Sequence, residues 1–336
     1  TGTPTNPGST DPSDPGTVTG PNTPTGGPAG TWTLTFADDF TNLNTSVWTT
    51  LRGAPGETYN SPINPAGDNH AYSADRVTAT GGMLRLAWDP TPITSYGTTY
   101  PYTASYAHTA TGLTVREGTF LEARIRLSTN APGLWPAFWL LPLPINTWPP
   151  EVDIAEFVQA DTPDGKYHPH FNVHWSEDGG ATSKQAYWQS YGPSGVDYAD
   201  GAWHTYGLEW VDGRIQVWLD GQPGPSSTGP GLDYIGTLYP VFSTGVMKGY
   251  TPPAGHMDVD YLRTWQLQDT SVPTDPGTVP PPPQSAWATS TGLASTGWRE
   301  IALRLTSTAE NSTTAWTTKY GYIEDIGDGR GYTAGI

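Results

Sequence analysis

Alternating apolar and polar residues run through the middle of the chain, between residues 31 and 267. In the run GRIQVWLDG, Ile215, Val217 and Leu219 lie two apart, as on one face of a β-strand. An Asp-Gly dipeptide at 212–213 precedes this run and predicts a hairpin turn. No helical periodicity of any length stands out in this segment. The pattern therefore predicts an antiparallel, all-β sandwich.

Two low-complexity tracts interrupt this pattern and predict the domain organisation. Residues 1–30 contain seven Pro, seven Gly and eight Thr, and 268–285 are rich in Pro. Such segments bury too little surface to offset their ordering entropy, so we expect flexible linkers. The string DPGTV occurs in both tracts, which is typical of linkers between modules of one protein. We predict a β-domain at 31–267 and a separate piece at 286–336; the alternative is two unrelated Pro-rich tails.

Composition narrows the classes of partner. A net charge of −17 argues against nucleic acid and anionic membranes, and leaves a neutral or cationic polymer as an acceptable ligand. The chain has no cysteine and no apolar run long enough to span a membrane. It begins at Thr1 without a signal peptide or initiator Met, so either a leader was removed or the chain was cut from a longer one. The linkers predict a secreted, extracellular protein, and we expect it to be a monomer.

Three carboxylates occur within six residues of an otherwise apolar run, WPPEVDIAEF. Buried carboxylates cost several kcal/mol unless they are paired, neutralised or used. Glu151 and Asp153 share one strand face, and Glu156 falls on the other unless a one-residue β-bulge restores the phase. Two acids about 5–5.5 Å apart across a glycosidic bond are typical of retaining glycoside hydrolysis. The same spacing also arises on a solvated strand face.

The stretch GLWPAFWLLPLPINTWPPEVDIAEF (133–157) resembles the catalytic strand region of glycoside hydrolase family 16, which contains the laminarinases and lichenases. The similarity extends from Ala37–Phe40 through Gly118–Leu127 to His256–Trp265. It implies a concanavalin-like β-jelly-roll sandwich of two antiparallel sheets, with the substrate cleft across the concave sheet.

The resemblance also implies roles for individual residues. Glu151 is the implied nucleophile, Asp153 the assisting acid and Glu156 the general acid/base. The E-x-D-x-x-E form corresponds to the bulged version of laminarinase-like members. Catalysis in the family needs no cofactor. Asp260 matches the position of a structural calcium ligand; the alternative is a strand-end Asp with turn hydrogen bonds.

Five further residues are candidates for substrate binding. Trp148 resembles the family position that stacks on the sugar near the cleavage point, since an indole fits the apolar face of a sugar. Trp135 is a second candidate, with core packing as the alternative. His174 and Trp175 match a His-Trp pair on the following strand, where a structural histidine is the alternative. Asn69 lies where laminarinases have a different pattern, so the identity of the substrate is left open.

The last 30 residues, 307–336, resemble the start of a family 46 chitosanase. Glu310 is the implied general acid and Asp328 the implied general base. The resemblance covers only the opening helix and first strands, and Glu300–Asn311 has a helical pattern. About 50 residues are too few for an independent core, so we expect this fragment to be inactive. An unrelated interaction tail is the alternative.

These features predict a secreted endo-β-glucanase that acts with retention on a β-1,3 or mixed β-1,3-1,4 glucan, from a modular enzyme. One alternative is the same chemistry on another polysaccharide, such as a galactan. Another is a lectin-like carbohydrate-binding module on the same sandwich. A binding module keeps an aromatic platform but has no need of clustered acids.

Overall fold

The computed structural model describes residues 30–268 except 55, 159–164, 178–183, 230 and 233–234, together with a few residues between 21 and 28 and two short C-terminal strands. Contacts divide the chain into two units, Thr1–Gln268 and Asp269–Ile336. In the described part of the chain, no helix has the length and hydropathy needed to cross a membrane.

Nearly all regular structure in the described residues is β. A 3₁₀ helix covers Ala74–Arg76. The strands are β1 (Trp32–Asp38), β2 (His70–Tyr72), β3 (Val77–Ala79), β4 (Leu84–Trp88), β5 (Ile93–Ser95), β6 (Thr98–Tyr100), β7 (Tyr102–Ala104), β8 (Tyr106–His108), β9 (Thr119–Leu127), β10 (Ala137–Pro142), β11 (Glu151–Phe157), β12 (Pro169–Trp175), β13 (Lys184–Ser190), β14 (His204–Val211), β15 (Arg214–Leu219), β16 (Gln222–Ser227), β17 (Leu238–Ser243), β18 (Gly255–Leu267), β19 (Ile323–Asp325) and β20 (Tyr332–Ala334).

Two antiparallel sheets form the sandwich. The eight-stranded sheet has the order β16-β15-β14-β9-β18-β4-β3, with β1 also paired to β18. The six-stranded sheet has the order β13-β12-β11-β10-β17-β8. Neighbours in these orders are often far apart in sequence, so the fold depends on long-range pairing. The arrangement confirms the predicted all-β class, and its similarity to known jelly-roll structures is reported below.

The space between the sheets is filled by one continuous apolar core. Both sheets contribute to it, with Leu121 and Ile125 from the eight-stranded sheet and Phe138 and Val173 from the six-stranded sheet, all nearly inaccessible to solvent. Each such side chain stabilises the fold by roughly 1.5–3 kcal/mol relative to its exposed state. Alternate residues of the inner strands face this core, which fixes their register because a one-residue slip would expose the set.

The hairpin predicted at Asp212-Gly213 is confirmed. Val211 of β14 pairs with Arg214 of β15, so the loop between them has two residues. Asp212 and Gly213 both have positive φ, 53° and 66°. That is the type I′ geometry, whose twist matches the flanking strands.

The segment before β1 contacts the sandwich. On the eight-stranded sheet, Trp32, Phe120 and Trp265 form a second, small apolar cluster. The indole Nε1 of Trp265 donates a 2.9 Å hydrogen bond to the carbonyl of Pro21. Contact with the domain therefore begins before the predicted linker boundary at residue 30, at Pro21. Apart from Gln268, the predicted linker at 268–285 lies outside the described residues, as does the predicted helix Glu300–Asn311.

A buried ion cluster ties three adjacent strands of the eight-stranded sheet together. Asp258 of β18 pairs in register with Arg85 of β4 and Arg126 of β9. Its carboxylate accepts hydrogen bonds of 2.7 Å from Arg85 Nε and 2.8 Å from Arg126 Nη2, and His256 Nε2 lies 3.4 Å away. Burial alone would raise the pKa of Asp258, but the hydrogen bonds from His256 and the two arginines hold it well below its ordinary value.

This cluster predicts an acid-sensitive contribution to stability. A carboxylate with a lowered pKa stabilises the fold above the unfolded pKa, and the effect is lost as the pH falls through the folded pKa. Asp258→Asn should cost about 1–3 kcal/mol at pH 7, since water reaches the partly exposed arginines. The difference between wild type and variant should begin to shrink below about pH 4, near the unfolded pKa, and should vanish only at a still lower pH, below the folded pKa. Chemical denaturation at pH 7 and pH 3 measures both values.

Asp260→Asn is the matched control. Asp260 lies on the same strand, is partly exposed and has a single ion pair, to Arg124. Its loss should cost less than about 1 kcal/mol at either pH. Equal losses for the two variants would contradict a special role of the Asp258 cluster.

Candidate active site

The three acids of β11 lie on one face because of a β-bulge. Asp153 pairs with Asn172 of β12 and Glu156 pairs with His170, so three steps along β11 match two along β12. The pairing with β10 shifts at the same place. This is the one-residue bulge that the sequence predicted between Asp153 and Glu156. It confirms that all three carboxyl groups reach the same side of the sheet.

That side of the six-stranded sheet forms the floor of a cleft of about 1320 Å³. Alternate residues of β10, namely Ala137, Trp139 and Leu141, line it, while Phe138 and Leu140 between them enter the core. β12 contributes residues in the same alternating way, and β17 and β8 complete the floor. Because side chains alternate along a strand, one face of the sheet packs in the core and the other face is available to a ligand.

Indole N–H groups hold the two outer acids. Trp148 Nε1 donates to Glu151 Oε2 at 3.1 Å, and Trp135 Nε1 donates to Glu156 Oε1 at 2.9 Å. The middle acid, Asp153, shares a side-chain hydrogen bond with Glu156. One carboxyl must carry a proton for that bond to form. Asp153 and Glu156 therefore share a proton, and hydrogen bonds fix the orientation of all three carboxyl groups.

Burial and mutual repulsion disfavour ionisation of the cluster. Burial, and then the neighbouring Glu156 carboxylate, raise the pKa of Glu151 to about 8, although the Trp148 hydrogen bond opposes the shift. Burial, together with Glu156 and Glu151, raises the pKa of Asp153 well above its ordinary value. An arrangement that suppresses negative charge in a cleft is typical of acid–base sites.

His174 faces two of these acids from the neighbouring strand. Its Nε2 lies 3.5 Å from Glu151 Oε1 and 3.6 Å from Asp153 Oδ2. The Asn172 amide is 2.7 Å from the same nitrogen. Burial lowers the pKa of His174, so the ring stays neutral at physiological pH. A neutral imidazole adds a polar atom to the cleft without adding a charge.

The structure brings three of the five predicted binding residues to the cleft. Trp148, Trp135 and His174 line it, and Trp148 is half exposed. Trp175 was a wrong prediction: it is buried against the core because adjacent strand residues point to opposite faces. Asn69 was also wrong, since its side chain lies 3.5 Å from the Tyr250 carbonyl and it does not line the cleft.

Several cleft residues were not predicted. On either side of Asn69, Asp68 and His70 both line the cleft; burial raises the pKa of Asp68 and lowers that of His70. Trp139 lies in the floor and donates to Ser243 Oγ at 3.1 Å. Strand alternation around Glu151 could have indicated Trp139. The other two come from a loop and strand about 80 residues earlier, and no local pattern connects them to β11.

The predicted calcium ligand does not lie in a suitable environment. Asp260 Oδ2 accepts a 2.9 Å hydrogen bond from Arg124 Nη1. A guanidinium at this distance repels a divalent cation and uses one of the oxygens that calcium would need. Within the described residues, Asp260 joins no group of three or more metal-binding side chains. The residues present there do not fit calcium.

Paired carboxyl groups on the floor of a cleft are the arrangement that glycoside hydrolases use to cleave a glycosidic bond. Residues 98–260 match the model of glycosyl hydrolases family 16. This match covers most of the sandwich domain and confirms the family resemblance that the sequence showed.

Similar proteins agree with this assignment. The endo-1,3-1,4-beta-glycanase EglC of Rhizobium meliloti (strain 1021) is 28% identical over 257 residues, which are 70% of this chain and 52% of that protein. The chain thus spans about half the length of the curated relatives it matches first. The endo-beta-1,3-glucanase of Pyrococcus furiosus has a similar structure, with a TM-score of 0.57, 25% identity, and coverage of 70% of this chain and 95% of that one. The laminarinase catalytic domain of Thermotoga maritima MSB8 also has a TM-score of 0.57, with 22% identity and 71% and 99% coverage, and supports the jelly-roll fold.

The C-terminal segment has a separate relationship. Residues 304–336 match the model of glycosyl hydrolase family 46. The chitosanase of Streptomyces sp. (strain N174) is 60% identical over 45 residues, which are 13% of this chain and 16% of that protein. Glu310 and Asp328, the acids that the resemblance implied, lie outside the described residues. Their predicted inactivity stays a prediction.

The raised pKa of Glu151 predicts that the site costs stability. For an acid with a raised folded pKa, the stabilising contribution is complete below the unfolded pKa and is lost as the pH rises through the folded pKa. Glu151→Gln mimics the protonated form and keeps an acceptor for Trp148. We expect no gain in the free energy of unfolding at pH 4, and a gain of about 1–3 kcal/mol at pH 8. Denaturant titration at both pH values measures the difference.

Glu57→Gln is the control, because Glu57 is exposed and lies outside the cluster. Its free energy of unfolding should differ little from wild type at both pH values. If Glu151→Gln and wild type have the same free energy of unfolding at pH 8, the repulsion described for the cluster is contradicted.

Proposed function

We propose that this domain is a retaining endo-β-glucanase that cleaves internal β-1,3 or mixed β-1,3-1,4 linkages. The observation that carries the proposal is the cluster of Glu151, Asp153 and Glu156 on one face of the cleft floor. Two relatives from Rhizobium meliloti carry the name endo-1,3-1,4-beta-glycanase, which supports the choice of substrate. The Pro- and Thr-rich tracts support secretion, with a polysaccharide as the partner.

Exposed apolar side chains support a sugar polymer as the ligand. Among the described residues, Tyr59, Ile63 and Trp148 are large, exposed and apolar, and all three line the cleft. Tyr96, which is 73% exposed, packs against Tyr59 with ring centroids 5.6 Å apart. Such surfaces are rare on soluble domains away from binding sites, and flat rings fit the C–H faces of sugars.

In the first step, Glu151 attacks the anomeric carbon and Glu156 protonates the departing oxygen. The bond from carbon to the leaving sugar breaks as the bond to the Glu151 carboxylate forms, which gives a covalent glycosyl-enzyme. Glu151 must be ionised to attack, and the Trp148 N–H stabilises that form. The proton shared between Asp153 and Glu156 keeps an acid available next to the leaving oxygen.

In the second step, the roles of Glu156 reverse. As a carboxylate it accepts a proton from water, whose oxygen then attacks the anomeric carbon and releases Glu151. Trp135 donates to Glu156 Oε1 and stabilises the ionised form that this step requires. Asp153 orients Glu156 through the shared proton and does not need to contact the sugar.

The direct test of activity is product analysis on a panel of polysaccharides. We expect oligosaccharides from a β-1,3 or mixed-linkage glucan, and none from cellulose, a galactan or chitosan. Glu151→Gln should lower kcat by at least about a thousandfold with the fold retained. Cleavage of the galactan alone would show that the substrate is a galactan and not a glucan. Glucan binding by wild type without cleavage would support the binding-module alternative.

The stereochemistry tests the roles of the acids. Proton NMR during the first turnovers should show the β-anomer at the new reducing end, because two inversions restore the configuration. Glu156→Ala should lose most activity on polysaccharide, whereas azide should restore turnover of an aryl glycoside with a good leaving group. An initial α-anomer, or no azide rescue in a folded variant, would contradict these roles.

A further inference from the structure

Three atoms in the cleft face one another without forming hydrogen bonds. They are His174 Nε2, Glu151 Oε1 and Asp153 Oδ2, and they lie within 4.8 Å of one another. The two measured separations from the nitrogen, 3.5 Å and 3.6 Å, are too long for hydrogen bonds. They are close to the spacing of two ligands that share a metal ion.

The oxygens that face the histidine have few competing partners. Asp153 is 2% exposed, and its Oδ2 has no hydrogen-bond partner. An unsatisfied buried acceptor costs about 1–3 kcal/mol, so this atom favours a ligand. Glu151 accepts the Trp148 hydrogen bond through Oε2, which leaves Oε1 directed at the histidine.

The histidine nitrogen that lies nearest the two acids is unprotonated. The Asn172 amide donates to Nε2 over 2.7 Å, which assigns the ring proton to Nδ1. A neutral imidazole with an unprotonated Nε2 is the form that binds metals. A metal ion would take the place of the Asn172 N–H at Nε2.

Two other histidines near carboxylates lack this arrangement. His204 contacts Asp220 through Nδ1 at 2.7 Å and lies 3.8 Å from Asp200 through Nε2, so its two nitrogens face different acids. His256 shares Asp258 with two arginines, whose charge repels a cation. In the described ranges, the Glu151–Asp153–His174 group is the one set of three or more candidate ligands whose atoms converge.

We propose that this group is a zinc site, and that Zn²⁺ is a reversible inhibitor of the enzyme. Zinc binds nitrogen and oxygen at about 2.0–2.2 Å, so two tetrahedral ligands lie about 3.4 Å apart. One imidazole and two carboxylates give three ligands, and the cleft leaves the fourth position open to water. Ca²⁺ and Mg²⁺ prefer more oxygen ligands and should bind much more weakly.

Zinc binding and hydrolysis require the same oxygen atoms. The metal engages Glu151, the residue that attacks the sugar in the proposed function, so inhibition rests on that assignment. Binding itself does not. Substrate and zinc should therefore exclude each other.

Isothermal titration calorimetry with Zn²⁺ alone tests the site without an activity assay. We expect one saturable site per chain in wild type. His174→Gln and Asp153→Asn should each weaken zinc by at least about tenfold. His204→Gln is the matched control and should bind as wild type does, while Ca²⁺ at the same concentration should give no saturable heat.

Unchanged zinc affinity in both folded cleft variants, or equal weakening in His204→Gln, would overturn the proposal and indicate adventitious binding to an acidic protein. Inhibition is measured in a second experiment, independent of the binding titration. Zn²⁺ should inhibit glucan cleavage competitively, and a chelator should restore full activity. Zinc binding at this site without any measurable hydrolase activity would refute the proposed function and leave the site intact.

Discussion

One constraint organises the functional half of the domain: three carboxyl groups must occupy one face of a strand that is otherwise apolar. A regular strand cannot do this at the spacing of Glu151, Asp153 and Glu156, and the bulge between the last two supplies the missing residue. The bulge also allows Val152 and Phe157, on either side of it, to stay in the core. Packing on one side and chemistry on the other thus depend on a single irregularity in the ladder.

The two sheets treat buried acids in opposite ways. In the eight-stranded sheet, Asp258 meets two arginines and a histidine, and its pKa lies well below the ordinary value. In the six-stranded sheet, the three acids of β11 meet indole N–H groups and a neutral histidine, and the pKa values of Glu151 and Asp153 are raised. The first arrangement stabilises charge and the fold; the second stores protons and costs stability. That contrast is typical of a structural and a catalytic use of the same side chain.

The sequence predicted features that depend on short spacings. The bulge followed from the period of two along β11, and the hairpin followed from Asp212-Gly213. The prediction failed where residues were taken in adjacent pairs: Trp175 follows His174 and therefore faces the core, and Asn69 lies between two cleft residues. Asp68 and His70 reach the cleft through long-range packing, which no local pattern contains. The Arg124 partner of Asp260, from another strand, was equally inaccessible to the sequence.

The central claim is that Glu151 forms the covalent bond to the sugar, and mass spectrometry of a trapped intermediate tests it most directly. A 2-deoxy-2-fluoro glucoside with a good leaving group slows the second step and allows the glycosyl-enzyme to accumulate. After proteolysis, the account predicts one labelled peptide, with the fluorosugar on Glu151. A label on Asp153 or Glu156, or rapid turnover of a wild-type enzyme that never carries a label, would contradict the account.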